Sequence, residues 1–153
     1  MGIVIRSATL KDLKRVYAIE LASFTNPYPE WYFTLLLGVA GELFTVAEYD
    51  GEIVGYSVAV LRTGGVCHLV SIAVDPRYRG RGIGARLLQD TEDRCKRIGA
   101  RSIILEVSHK NLVAYMLYSS RGYEPLRFIK DYYGKGDHAI LLLKIFKPNR
   151  NIG

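Results

Sequence analysis

The chain reads as a mixed α/β protein, and three observations carry that reading. Apolar runs of strand length alternate with stretches of helical periodicity. An Asp50-Gly51 pair joins two of the strand-like runs, and a glycine-rich turn around Gly80 leads from a third directly into an amphipathic helix. The resulting order is β-α-α-β-β-β-α-β-α-β-β, a mixed sheet in which both later helices follow strands as crossovers.

Residues 3–7 form the first strand. Thr9-x-x-Asp12 resembles a capping box with Asp in place of Glu, opening a helix whose apolar stripe runs through Leu13, Val16, Tyr17, Ile19, Leu21 and Phe24. Asn26-Pro27-Tyr28-Pro29 breaks it, and Pro29 suits the first turn of a second helix from Glu30 to Gly38. Strands at residues 42–49 and 53–62 flank the Asp-Gly turn, and Val66–Val74 is a third. Ile83, Leu87, Leu88, Thr91, Cys95 and Ile98 recur at helical spacing until Gly99 stops them. Residues 102–107 are a buried strand, Asn111 to Arg121 a helix ended by Gly122, and Tyr123–Tyr133 and Ala139–Phe146 two closing strands. Residues 1–148 are expected as one domain, with 149–153 as a frayed tail.

At 153 residues a single domain buries a substantial core, and 49% hydrophobic with 24% charged residues is the balance of a soluble globular protein. No apolar run approaches the ~20 residues of a membrane span, and the opening Met-Gly-Ile-Val-Ile-Arg reads as a strand and not as a signal peptide. The expectation is cytoplasmic. Cys67 and Cys95 lie in different kinds of segment, with no CxxC and no histidine cluster, so they read as small core residues and no metal is implied. The net charge of +6 is spread along the chain except between Arg77 and Arg86. No nucleic-acid-binding signature accompanies that cluster, so a compact phosphate ligand explains it more economically than a duplex.

The concentrated stretch is Val74-Asp75-Pro76-Arg77-Tyr78-Arg79-Gly80-Arg81-Gly82-Ile83-Gly84-Ala85. Glycines at every second position bare their backbone N–H groups, and the helix that begins there adds its own orphan N–H groups and positive dipole end. The spacing is neither the GxGxxG of dinucleotide sites nor a P-loop. By themselves these residues imply an anion site at the carboxyl end of a strand, or equally a plain strand-to-helix connection with a solvated basic rim.

In context, the residues resemble a family. Arg79-x-x-Gly82-x-Gly84 is similar to the [RQ]xxGx[GA] pyrophosphate loop of GNAT-fold acetyltransferases. Ser71-Ile72-Ala73-Val74 before it, Leu105-Glu106-Val107 after the helix, Asn111, and Leu117-Tyr118-x-x-x-Gly122-Tyr123 resemble the same family in order. Asp131-Tyr132-Tyr133-x-x-Gly136-Asp137-His138-Ala139 looks like the YYxxGEDA hairpin of the protein N-terminal acetyltransferases, the archaeal Ard1 and bacterial RimI type. Asp137 and His138 depart from the Glu and Asp of that pattern. The resemblance implies a single GNAT domain with a mixed, mostly antiparallel seven-stranded sheet and about four helices.

It also implies roles. Backbone groups of Gly80, Arg81, Gly82, Ile83, Gly84 and Ala85, with Arg79, would cradle the pyrophosphate of acetyl-CoA, while Ile72, Ala73 and Val74 would meet its acetyl and pantetheine portions. Asn111 would contact the pantetheine arm. Tyr118, two helical turns on, would protonate the leaving thiolate. Without the family, Asn111 is simply a helix cap and Tyr118 a core aromatic. Amine acetylation needs a base; Glu106, the one acid in an apolar run, is the first choice and His68 the second. Tyr28, Pro29, Glu30 and Tyr32, together with Tyr132 and Tyr133, would grip the acceptor.

The expected function is transfer of an acetyl group from acetyl-CoA to a protein N-terminal α-amine by direct attack in a ternary complex. The acceptor would be a protein or peptide N-terminus, with a ribosomal partner left open, no membrane, and nucleic acid not the expected partner. Acetylation of a small amine or a lysine side chain, or a non-catalytic CoA- or RNA-binding module, are the alternatives.

Overall fold

The computed structural model describes residues 2–148; the expected tail at 149–153 lies outside them. Seven strands form one mixed sheet in the order β1-β2-β3-β4-β5-β7-β6. They are β1 (Ile3–Ser7), β2 (Phe44–Tyr49), β3 (Glu52–Arg62), β4 (Val66–Val74), β5 (Ser102–Ser108), β6 (Glu124–Gly134) and β7 (Asp137–Ile145). Four α-helices are described: α1 (Leu13–Ser23), α2 (Glu30–Ala40), α3 (Ile83–Arg97) and α4 (Leu112–Ser120). This is the element order expected from the sequence. β4 and β5 pair in parallel, whereas β1–β2, β2–β3, β5–β7 and β6–β7 are antiparallel.

Internal contacts divide the described chain into two compact units. The first runs to Val60 and includes Leu69–Arg94. Thr9 and Asp12 form the expected capping box, with Asp12 accepting the Thr9 N–H at 2.7 Å, but it opens a 3-10 turn at Leu10–Asp12 before α1. The buried face of α1 is Leu13, Val16, Ile19 and Glu20. Leu21 and Phe24, expected in the stripe, are exposed, because the face presented to the core holds a carboxylate in their place. Asp50 and Gly51 both take positive φ, the type I′ requirement, and set the Tyr49–Glu52 register. Burial alternates along β4. Ile72 and Val74 pack with Ala47, Val54, Ile83 and Leu87, while Ser71 on the other face bonds to Glu20 of α1.

The second unit holds Leu61–His68 and the chain from Cys95 onward. Val66, Cys67 and His68 pair with Ser102, Ile103 and Ile104 of β5, whose other side pairs with β7 along its whole length. Gly99, at φ +95°, follows α3, and Ile98, expected on the buried stripe, lies beyond the helix end and is exposed. The helix expected from Asn111 to Arg121 runs Leu112–Ser120, because those two residues are its caps. Cys67 and Cys95 are buried thiols, not a disulfide, as expected of small core residues. No helix among the described residues is long and apolar enough to cross a membrane.

Candidate active site

In the first unit the glycine turn is built at the end of β4. The Asp75 carboxylate accepts the Arg77 backbone N–H at 2.9 Å and its guanidinium at 3.0 Å, and Arg15 approaches from α1. These bonds, Arg77 first, hold the Asp75 carboxyl below the ordinary carboxylate range against the opposing effect of burial. The sequence names Asp75 only as part of the stretch; its role as the peg of the turn appears once the chain is folded. Gly80 and Gly82 stand at φ +79° and +78°, a conformation that a side chain disfavours, and α3 begins at Ile83. Ala85 and Arg86 follow within the first turn of α3, where the Arg86 N–H bonds to Gly82 at 3.1 Å. Arg79 turns back to the Val74 carbonyl at 3.1 Å and Ser23 at 3.1 Å, and Arg81 lies over the Tyr78 ring at 5.1 Å. The charge of these arginines therefore surrounds the turn, while the backbone N–H groups at its centre are supplied by Gly80, Gly82 and the helix start.

The same unit carries the aromatic residues expected to meet the acceptor. Pro29 caps α2 and Glu30 is its exposed first residue. The Tyr28 ring lies 4.9 Å from Tyr32 and 6.4 Å from Phe33, centroid to centroid. Beneath them the Glu20 side chain is 1% exposed. Glu20 accepts the Tyr28 backbone N–H at 2.9 Å, the Ser71 hydroxyl at 2.9 Å, and the hydroxyl of Tyr56, which burial and the Glu20 carboxylate push well above the ordinary tyrosine range. Sequence reasoning missed Glu20. The signal was present: Leu13, Val16 and Glu20 share the i, i+3, i+7 register of a core face.

In the second unit, β5 places Glu106 beside His68 of β4. His68 Nε2 is 2.8 Å from Glu106 Oε1 and 3.1 Å from Oε2, and the Tyr132 hydroxyl donates to Oε1 at 3.1 Å. Arg62 lies 3.2 Å from His68 Nδ1. A guanidinium only donates, so Nδ1 accepts and the proton rests on Nε2, pointing at Glu106. The first- and second-choice bases are thus one hydrogen-bonded pair, in which His68 is the donor. Tyr132 reaches Glu106 because the β6–β7 register jumps from Ile129–Ala139 to Gly134–Asp137, and Asp131 within that bulge stands at φ +56°. Tyr133 packs edge-on against Tyr132 at 4.9 Å.

Asn111 caps α4, its side-chain oxygen accepting the Ala114 N–H at 3.1 Å and its amide N–H groups left to donate. Tyr118 is buried on α4 against Tyr123, ring centroids 5.6 Å apart, and burial pushes its hydroxyl up to about 12. Both bland readings, cap and core aromatic, therefore hold as local structure. Neither conflicts with a role toward a ligand.

A parallel β4–β5 pair, a positive-φ glycine turn at the carboxyl end of β4 and a carboxylate held on β5 are the arrangement of an acetyltransferase fold. The family described as Acetyltransferase (GNAT) family matches residues 13–123, and the chain belongs to it. Within that family it is 33% identical over 150 residues to the N-alpha-acetyltransferase of Sulfurisphaera tokodaii, covering 90% of each chain. It is 33% identical over 141 residues to a putative ribosomal protein bS18-alanine N-acetyltransferase of Bacillus subtilis, covering 90% of this chain and 92% of that one. Among solved structures, Ard1 from Thermoplasma volcanium superposes with a TM-score of 0.93 at 26% identity, over 97% of this chain and 100% of that one.

Proposed function

We propose that this acetyltransferase transfers the acetyl group of acetyl-CoA to the N-terminal α-amino group of a protein, by direct attack within a ternary complex. The observation that carries the reading is Glu106, a carboxylate oriented by two donors, His68 and the hairpin residue Tyr132. A base in that setting suits an acceptor presented by the tyrosine-bearing hairpin. The names of the relatives point to the same acceptor class.

In this reading the turn from Gly80 to Ala85 receives the pyrophosphate, and the backbone of Ile72, Ala73 and Val74 receives the acetyl carbonyl and the pantetheine arm. The Asn111 amide donates to that arm. Glu106, directly or through one water, takes a proton from the α-ammonium. The freed amine nitrogen attacks the thioester carbonyl carbon, the C–S bond breaks as the C–N bond forms, and the second proton that nitrogen sheds passes through water to the departing thiolate. Tyr118 donates to the departing thiolate. His68 holds Glu106 as a donor and leaves it the role of base. Tyr28, Pro29, Glu30 and Tyr32 of the first unit, and Tyr132 and Tyr133 of the second, are each assigned to the acceptor. Residues 1–148 then work as one domain, in the cytoplasm, where thiols such as those of Cys67 and Cys95 stay reduced.

Acetylation of a peptide library with free and blocked N-termini tests the reading. Turnover that requires a free α-amine supports it. Turnover confined to small amines or lysine side chains moves the protein to another acceptor class, and acetyl-CoA binding without transfer makes it a binding module.

A further inference from the structure

Glu20 is the one α1 carboxylate on a core register, and among the described residues it is not paired to a cation. Three neutral donors hold it: the Tyr28 backbone N–H at 2.9 Å on Oε2, and the Ser71 and Tyr56 hydroxyls on Oε1, Ser71 at 2.9 Å. The two hydroxyls are themselves 2.9 Å apart. Burying an ionisable group this way is unfavourable for folding compared with an apolar side chain of similar size. A leucine or methionine would fill the same register, so packing alone does not call for glutamate.

The sequence around Tyr28 shows what the carboxylate does. Pro27 and Pro29 have no N–H, so Tyr28 carries the only backbone donor in that three-residue stretch, and Glu20 takes it. The bond fixes the backbone from which the Tyr28 ring projects against Tyr32 at 4.9 Å and Phe33 at 6.4 Å. The other carboxylate oxygen is anchored to β4 through Ser71, directly before Ile72, Ala73 and Val74. One buried side chain therefore ties the aromatic acceptor residues to the strand assigned to the acetyl donor.

We propose that Glu20 is a positioning residue for acceptor recognition: its carboxylate presets the Tyr28–Tyr32 pair to receive the first residue of the peptide. The inference rests on the acceptor reading given under Proposed function. Glu20→Gln is its test, because the amide keeps an oxygen for Tyr56 and Ser71 but turns an N–H donor toward the Tyr28 N–H. The expected result is a peptide KM raised about tenfold, the weight of roughly one hydrogen bond, with kcat and the acetyl-CoA Kd within about twofold of wild type. Tyr56→Phe removes a donor from the other oxygen and leaves the Tyr28 bond; it should lower Tm while peptide KM stays within about twofold.

A merely structural Glu20 would lower Tm in both variants and split KM in neither. An unchanged peptide KM in folded Glu20→Gln overturns the proposal, as does an equal loss of acetyl-CoA affinity. Amide hydrogen exchange on the wild-type protein gives an independent reading should Glu20→Gln fail to fold. The Tyr28 N–H should be protected before any peptide is added, and free exchange there overturns the proposal. Each KM ratio is taken on a peptide that the wild type acetylates, so absence of wild-type turnover refutes the acceptor reading and not the part assigned to Glu20.

Discussion

Tyr118→Phe removes one oxygen and leaves the ring in place against Tyr123. Burial is the one influence that shifts the Tyr118 hydroxyl, so its loss should strand no charged partner and stability should change by less than about 1 kcal/mol. Activity should fall much further. Burial pushes the hydroxyl up to about 12, whereas an ordinary thiol titrates near 8.5. Complete proton transfer to the departing thiolate is then uphill by roughly 3.5 pH units, or about 5 kcal/mol. Under the proposed mechanism Tyr118 would act mainly as a hydrogen-bond donor to a charged sulfur, a contribution of about 1.5–3 kcal/mol, and kcat should drop about 10- to 150-fold. Steady-state acetylation of a peptide across pH, with acetyl-CoA affinity measured by calorimetry, tests this. With its proton held to about 12, Tyr118 should impose no basic limb on kcat in the usual working range. A loss of less than about threefold, or a basic limb near the ordinary tyrosine value that the substitution abolishes, would refute the reasoning.

Glu106→Gln should lower kcat by about 10²-fold or more with acetyl-CoA binding retained, whereas His68→Gln, which can still donate to Glu106, should lose about tenfold or less. Equal losses in the two would make His68 a base in its own right. Gly82→Ala should destabilise by about 1–2 kcal/mol in chemical denaturation and weaken acetyl-CoA binding, because its φ is +78° although a Cβ there meets no neighbour. Gly84→Ala, whose Cβ would sit 3.7 Å from Val74 at ordinary contact, should leave stability nearly unchanged. Asp75 is held below its usual range, so its stabilisation is present above about pH 4, the unfolded value, and is lost as pH falls further through the folded value. Asp75→Asn should lower Tm at neutral pH and converge with wild type in strong acid. A constant difference across pH would show that the Asp75 charge is not the cause.

Local patterning accounts for what was legible in advance. Strands and helices have fixed periods, glycines with positive φ punctuate them, and Asp50-Gly51 admits one kind of hairpin. The element order and the position of the glycine turn at the end of β4 could therefore be read along the chain. Helix ends shifted by a residue or two where caps such as Asn111 are half in and half out. Leu21, Phe24 and Ile98 kept apolar identity without burial, because a single sequence does not say which neighbouring element covers a given arc of helix.

The sequence by itself determined the family, the strand and helix order and the residue types available for chemistry, since these depend on spacing along one chain. Tertiary structure alone decided who meets whom. It joined His68 to Glu106 across 38 residues and brought Tyr132 to the same oxygen through a bulge. It made Asp75 the peg of the turn and gave Glu20 the only backbone donor between two prolines. Those pairings follow from strand register and from the need of each buried polar group for a partner, conditions that exist only once distant segments have packed.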